Sequence, residues 1–440
     1  MRTLSDFRIS WEWESPEAAR GPELRATWAR LEIVVDGQPV TQVEDRVAHS
    51  VRNAVYAPLY PVAEWIATNW WPMLYEVFSS TRVDAAVYAR RHSLASAAEG
   101  FALPNLTFQP EGESLLLMWA PLSLDDRGVR FLARGAGRVE RQRAEAELSR
   151  FVEAVVRRLE EQNVGQTLLS EEWEAIHSAD SDERAFAQAA GRLGRDPYAI
   201  TDQEGEAITR AVKALPAGLV DDFLAAVDHL DLLSESQAVV AFLEEASGSQ
   251  VSLDPLRDLR HKLPPLPSDL PPWKQGYEFA RRLRAELGAK EARIRSREDL
   301  ARLFHLDRGQ WDQAVLSRSN GFKFVEAAVA QTQTGSPYFF VRRPRPEAQV
   351  FALCRALFEY LTAPGAGGAL VTPALSDRQK RNRAFSAEFI APAELLRQAI
   401  RRLVVSDDDV QDLAADFGTS EFVIRHQIAN HEIAELVVDR

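Results

Sequence analysis

Cationic side chains are concentrated in one segment of a chain whose net charge is −13. The segment 342–383 contains eight of them: Arg342, Arg343, Arg345, Arg355, Arg378, Lys380, Arg381 and Arg383. The planar donor fork of arginine suits a carboxylate or a phosphate. We therefore predict a local basic groove that binds a nucleotide, a nucleic-acid backbone or an acidic segment of a partner. In the alternative interpretation, these cations pair with the chain's own acids or face water.

Two helices are predicted to position these side chains. Apolar residues recur at three- and four-residue spacings at Val350, Leu353, Leu357 and Leu361. This spacing predicts an amphipathic helix over Gln349–Leu361. A second helix is predicted over Asp377–Ile390, and the run SPYFFVRR before the first helix predicts a strand. We expect the two helices to pack side by side.

The second helix ends in a motif that resembles a known family. Its last residues are Phe385-Ser386-Ala387-Glu388-Phe389-Ile390-Ala391-Pro392. The run is similar to the Phe-Ala-Ala-Glu-Leu-Leu-Met-Pro pattern of the ImmA/IrrE-type zinc metallopeptidases, whose preceding helix carries His-Glu-x-x-His. Aligned on this match, the two histidine positions hold Cys354 and Phe358 and the glutamate position holds Arg355. The third zinc ligand of the family, a glutamate, falls on Arg381.

The residues at these positions lack the zinc chemistry of the family. That chemistry needs two imidazoles at i and i+4, a carboxylate as third ligand and a glutamate as general base. Arginine neither accepts a proton nor offers a lone pair to zinc, and one thiolate at Cys354 without an aligned partner does not make a soft-metal site. We predict no metal, no cofactor and no catalytic residue. A divergent hydrolase with a site rebuilt around Cys354 is the alternative.

The resemblance covers residues 274–440 and is specific over Ser336–Pro392 and Val410–His431. It implies a zincin-like C-terminal domain with a small sheet. It also implies a catalytically inactive regulatory or binding protein of a bacterial stress, mobile-element or phage-defence system. Such a protein would act through a protein partner or through an anionic ligand in the former active-site groove.

Composition indicates an ordinary globular chain of 440 residues, with 46% hydrophobic and 27% charged residues. A chain of this length predicts two or three domains. The single cysteine excludes a disulfide framework and fits a reducing cytosol, and the first residues contain no apolar run for export, so we expect a cytoplasmic protein. The most apolar stretch, residues 55–78, contains acids and prolines, which indicates a buried segment and no membrane contact.

The predicted fold class is α+β and mostly helical. We predict a mixed α/β domain over 1–165, a helical middle region over 166–260, a proline-rich linker over 261–273 and the peptidase-like domain over 274–440. Asp36-Gly37 between two strand-like runs predicts a hairpin. The tryptophans of the first domain, Trp65, Trp70 and Trp71, are interpreted as core residues, with a ligand pocket or partner surface as the alternative.

The segment Val410–His431 has the pattern of two helices joined at a turn. Gly418 is predicted to end the first helix, and Thr419 or Ser420 to cap the second. The second helix offers Arg425, His426, Gln427 and Asn430, so a DNA-binding transcriptional regulator is a further alternative. The acids at Asp407–Asp409 and Glu421 oppose phosphate approach, which favours packing against the peptidase-like core instead.

Metal removal should leave the protein unchanged. We expect the purified protein to contain no stoichiometric zinc and chelators to leave its melting temperature unaltered, because no ligand set couples metal binding to folding. Phe358→His alone should restore no peptidase activity, since Arg355 and Arg381 still occupy the base and ligand positions. Metal analysis and melting curves check this. One tightly bound zinc per chain that disappears in Cys354→Ala would contradict it.

Overall fold

A computed structural model of the chain describes residues 5–15, 19–98, 100–122, 128–267, 270–317, 322–342, 345–362 and 367–437. The chain divides into two compact units, Met1–Thr209 and Arg210–Arg440. Each unit combines helices with small sheets, so the predicted α+β class is confirmed. Among the described residues, no helix is both long enough and apolar enough to cross a bilayer.

The first unit begins with antiparallel strands and continues with helices. Its elements are β1 (Phe7–Trp13), α1 (Pro22–Ala26), β2 (Trp28–Val35), β3 (Gln38–Pro39), β4 (Val43–Asp45), β5 (Ser50–Arg52), β6 (Val55–Pro58), α2 (Tyr60–Thr68), α3 (Trp70–Tyr75), α4 (Ala85–His92), β7 (Leu106–Pro110), β8 (Ser114–Trp119), β9 (Val129–Phe131), β10 (Gly135–Glu140), α5 (Arg141–Glu161), α6 (Leu168–Ser178) and α7 (Ser181–Arg192), with a 3-10 turn at Leu94–Ser96. Helix α8 (Asp202–Ala214) spans the division between the units. The sheet orders are β1-β2-β3 with β6 also on β2, β10-β8-β7, and β5-β4-β9.

Local sequence signals in the first unit are confirmed. Asp36 and Gly37 have φ values of 52° and 74°, as a two-residue hairpin turn requires, and they join β2 to β3. The tryptophans predicted as core are buried, and the ring of Trp70 meets that of Trp173 edge-on at 5.1 Å. The indole rings therefore stabilise the interior of this unit.

The second unit is mainly helical. Its elements are α9 (Ala217–Ala226), α10 (Leu232–Gly248), α11 (Asp254–Lys262), α12 (Pro272–Glu286), α13 (Arg297–Leu303), α14 (Arg308–Ala314), β11 (Val315–Ser317), β12 (Ala327–Gln331), β13 (Pro337–Val341), α15 (Pro346–Thr362), β14 (Ala369–Val371), α16 (Asp377–Ile390), α17 (Ala393–Ala399), β15 (Val404–Val405), α18 (Asp407–Phe417), α19 (Glu421–Asn430) and β16 (Glu435–Leu436), with a 3-10 turn at His229–Asp231. A mixed sheet has the order β11-β13-β12-β14, in which only β11 and β13 pair in parallel, and β15 pairs with β16.

The observed division of the chain differs from the predicted boundaries. The segment 166–260, predicted as one helical region, is shared between the two units. In the first unit, a Cβ atom on Gly191 of α7 would lie 2.7 Å from the backbone of Trp71. The predicted linker 261–273 begins within α11 and ends within α12, and Leu263 packs against the core of the second unit. Periodicity identifies helices in a sequence, but it does not say which core they cover.

Helices α12, α15 and α16 form the centre of the second unit. The rings of Phe358 in α15 and Phe385 in α16 lie 4.9 Å apart, so the two predicted helices do pack side by side. Gly276 allows α12 to approach α16 closely. A Cβ atom on Gly276 would overlap the carbonyl oxygen of Arg381 and lie 2.7 Å from the amide nitrogen of Phe385.

Gly276→Ala should destabilise the second unit by roughly 1–3 kcal/mol, because the added methyl group forces two helix backbones apart. Gly218→Ala is the matched control, since a Cβ atom added to this helical glycine would meet no neighbouring atom within 4 Å. The control should be neutral or slightly stabilising, by up to about 1 kcal/mol. Chemical denaturation of both variants measures the difference. Equal stabilities would contradict the close approach of α12 and α16.

Candidate functional site

Four helices of the second unit line a cavity of about 560 Å³ that is open to solvent. Its apolar lining comes from Trp273 and Tyr277 of α12, Ala348, Phe351 and Ala352 of α15, Ala384 and Ala387 of α16, and Phe422 and Val423 of α19. These residues recur at helical spacing, so each helix presents one face to the same space. We call this space the four-helix cavity. It lies beside Arg355, the residue aligned with the general base of the metallopeptidases.

The charged residues of the cavity lining carry a positive excess. Four of the eight predicted anion-binding cations line the cavity: Arg345, Arg355, Lys380 and Arg383. Two acids, Glu326 and Glu347, line it as well. The roles of these cations differ, because their hydrogen-bond partners differ.

Arg355 is buried and fully engaged by protein groups. Its Nη1 lies 2.5 Å from Oε2 of Glu326, and its Nε donates to Oδ1 of Asn382 at 2.7 Å. Its Nη2 donates to the carbonyl oxygen of Thr372 and to Oε1 of Gln379, each at 2.8 Å. A buried charge is tolerated only when it is paired and hydrogen-bonded. The side chain of Arg355 therefore joins α15 to α16 and to the residues that flank β12 and β14.

The hydrogen bonds continue to a second buried ion cluster. Asn382 Nδ2 donates to Oε1 of Glu359 at 2.8 Å, and Gln379 Nε2 donates to Oδ1 of Asp222 at 2.9 Å. Arg378 pairs with Glu359 at 2.7 Å and with Asp222 at 2.9 Å. Burial alone would lower the pKa of Arg378, but the charges of Glu359 and Asp222 outweigh it and raise the pKa. Arg378 therefore forms ion pairs with two acids of the second unit.

Arg383 differs from the other arginines at the cavity. Its Nη2 donates to the carbonyl oxygens of Thr372 at 3.1 Å and Ala374 at 2.9 Å. Within the described part of the chain it pairs with no carboxylate. Arg355 donates to the same carbonyl oxygen of Thr372, so two guanidinium groups meet there. Burial and the charge of Arg355 lower the pKa of Arg383, which means that its positive charge is held in an unfavourable environment.

The remaining predicted cations have separate positions. Arg345 is exposed at the cavity, and its side chain has no hydrogen bond or ion pair among the described residues. Arg342 donates to the carbonyl oxygens of Phe322, at 3.4 Å, and Lys323. The backbone of Arg381 faces α12 at Gly276, outside the described lining of the cavity. Arg343 lies outside the described residues.

The positions aligned with the zinc ligands do not fit a metal ion. Cys354 is fully buried, and burial raises the pKa of its thiol, which disfavours the thiolate that a metal needs. The ring of Phe358 packs against Phe279 at 5.4 Å and Phe385 at 4.9 Å. In the part of the chain that the structure describes, no group of three or more His, Cys, Asp or Glu residues is placed to hold a metal.

Glu388 has a role that the sequence did not reveal. It belongs to the run that resembles the metallopeptidase pattern, yet it is buried and accepts hydrogen bonds from Arg281 at 2.9 Å, Gln427 at 2.9 Å and the amide of Ala393 at 3.3 Å. Burial would raise its pKa, but His431, whose Nε2 lies 3.3 Å from Oε2, and the hydrogen bond from Arg281 outweigh this and lower the pKa to about 2. Glu388 therefore links α16 to α12, α17 and α19.

The C-terminal helix pair has its own small apolar cluster and contacts the rest of the second unit through polar side chains. Ser420 caps α19 through the amide of Val423, as predicted. Arg425 pairs with Asp407 at 2.7 Å, and Asn430 donates to the hydroxyl of Tyr277 at 3.2 Å. These contacts use polar side chains that a DNA-reading helix would need at its surface. They support packing, the interpretation favoured by the sequence.

The first unit contains a separate buried ion cluster around Glu76. Its carboxylate accepts from Arg91 at 2.8 and 2.9 Å and lies 3.1 Å from Nε2 of His92. Burial would raise the pKa of Glu76, but hydrogen bonds from His92 and Arg91 lower it to about 2. A Cβ atom on Gly194 would overlap the carboxylate. Close packing and paired charges give this cluster a structural role.

Comparison of the chain with protein-family models, curated proteins and solved structures finds no match. The resemblance to the ImmA/IrrE-type metallopeptidases therefore stays a prediction. It depends on the motif at the end of α16 and on the residues aligned through it.

Arg355→Met should destabilise the protein by about 3–5 kcal/mol, because Glu326, Asn382 and Gln379 lose the buried guanidinium to which they are bonded. Arg282→Met is the matched control. Arg282 lies on the exposed face of α12, and its side chain has no hydrogen bond or ion pair among the described residues. Its replacement should change stability by no more than about 0.5 kcal/mol. Urea denaturation compares the two, and a similar small effect for both would contradict the structural role of Arg355.

Proposed function

We propose that this chain is a catalytically inactive, metallopeptidase-like binding or regulatory protein that acts by holding a ligand in the four-helix cavity. The main support for the proposal is that this cavity lies beside residues that are not suited to bind a metal ion. Arg355 is an internal ion-pair partner, while Cys354 and Phe358 belong to the core. Space for a ligand is present next to a position aligned with a catalytic centre.

The lining of the cavity supports binding. Ligand sites are typically cavities of about 300–1,000 Å³ with mostly apolar walls and a few polar groups. The four-helix cavity has this volume and composition. Trp273 and Phe422 at its walls are 43% and 68% exposed, and aromatic side chains of this kind are common anchors for a protein partner. We propose that ligand binding influences such a partner, as in a bacterial stress, mobile-element or phage-defence switch.

The two alternative functions have weaker support. A hydrolase rebuilt around Cys354 needs a reachable thiolate, but this thiol is fully buried and its pKa is raised by burial. A DNA-binding regulator that reads bases with α19 needs free donors, but Arg425 is paired with Asp407. Asp407, Asp408 and Asp409 also form the first turn of α18, where their charges oppose phosphate.

Binding of a neutral apolar fluorophore, N-phenyl-1-naphthylamine, tests the cavity directly. We expect one binding site per chain, seen as an increase in emission on titration. Ala348→Trp should weaken binding about tenfold or more, because the indole occupies the space that the ligand needs. Ala348 lines the cavity from the first turn of α15 and is only partly buried, so the larger side chain can be accommodated.

Ala429→Trp is the control for this experiment. Ala429 is exposed on α19 and does not belong to the described lining of the cavity. This variant should bind the fluorophore as the unmodified protein does, with the same melting temperature. Equal binding by Ala348→Trp and the unmodified protein, or no binding by either, would overturn the proposed function.

A further inference from the structure

We propose that the ligand of the four-helix cavity is a small amphiphilic anion whose apolar chain lies between the helices and whose carboxylate binds Arg383. This inference rests on the proposed function, because it names the class of molecule that the cavity takes. Its two parts, an apolar body and one anionic head group, are supported by separate observations.

The apolar part follows from the walls of the cavity. Aromatic and aliphatic side chains from four helices face the space, including Tyr277, Phe351 and Val423, and Leu375 joins them from the loop before α16. Ala384 and Ala387 provide a smooth wall on α16, because their side chains end at Cβ. A flexible alkyl chain fits a space of this kind, and its transfer from water is driven by burial of apolar surface.

The anionic part follows from the donors of Arg383. Both described hydrogen bonds of this side chain come from Nη2 and end on carbonyl oxygens. Its Nε and Nη1 protons have no acceptor among the described residues. A carboxylate at the cavity wall would receive charge-assisted hydrogen bonds from these protons. It would also balance the positive charge that Arg383 holds beside Arg355, whose own charge is neutralised by Glu326.

The apolar walls of the cavity favour a single negative charge. Glu326 is paired with Arg355, and most of the remaining lining is apolar. Apolar walls cannot hydrogen-bond to the several charges of a polyphosphate or a nucleic-acid backbone, and burying such charges without partners is costly. One carboxylate on Arg383 avoids this cost. A monoanion therefore fits better than a nucleotide or nucleic acid, both of which the basic segment alone also permits.

Displacement of N-phenyl-1-naphthylamine by octanoate, decanoate and dodecanoate, all below micelle-forming concentrations, tests the inference. Each added methylene should tighten binding about fourfold until the cavity is filled. Dodecanoate should bind about tenfold or more tightly than dodecanol, because only the carboxylate forms charge-assisted hydrogen bonds. Dodecylamine, which carries the opposite charge, should bind more weakly than dodecanol.

Arg383→Met should remove the preference for dodecanoate and leave dodecanol binding intact. Arg282→Met should keep the preference, since Arg282 lies on the exposed face of α12 outside the described cavity lining. If Arg383→Met does not fold, the affinities of the unmodified protein for dodecanoate and dodecanol still test whether the ligand needs an anionic head group.

The possible outcomes separate the two proposals. Fluorophore binding together with equal affinity for dodecanoate and dodecanol would overturn the anionic head group and leave the proposed function standing. Affinity that does not depend on chain length would overturn the alkyl ligand and favour a protein segment on the exposed Trp273 and Phe422. Absence of fluorophore binding would overturn the proposed function itself.

Discussion

The buried ion pair between Arg355 and Glu326 is the interaction on which the second unit depends. It places a guanidinium at the junction of α15, α16 and the mixed sheet, and it is surrounded by side-chain amides and a carbonyl oxygen. Two charges in a low-dielectric interior are stable only while both remain. The pair therefore fixes the relative positions of the helices, and those positions determine the shape of the four-helix cavity.

The arginines near the four-helix cavity differ in their partners. Arg378 is paired with Asp222 and Glu359, whereas Arg383 donates to carbonyl oxygens and retains a positive charge at the cavity wall. The identity of a residue is thus less informative than the identity of its partners. In the structure, the segment with the metallopeptidase-like motif forms an ion-pair network with a cavity beside it.

The sequence predicted the helices and the hairpin better than it predicted which side chains contact one another. Periodicity identified the helix of Cys354, the motif at residues 385–392 identified the helix of Arg381, and Asp36-Gly37 identified a hairpin, because these signals depend on neighbouring residues. The partners of Arg355 were missed, since Glu326 lies 29 positions away and Asp222, which completes the network, lies 157 positions from Gln379. Eight cations in one segment appeared equivalent in sequence. Only the three-dimensional contacts distinguish the paired Arg378 from the available Arg383.

A double-mutant cycle on Arg355 and Glu326 tests the central claim most directly. The free energies of unfolding of Arg355→Met, Glu326→Gln and the double variant give the coupling between the two side chains. The account predicts a coupling of about 1.5 kcal/mol or more, with the double variant more stable than Arg355→Met alone, because no unpaired charge remains. A coupling within about 0.5 kcal/mol of zero would show that Arg355 does not depend on Glu326 and would contradict the account.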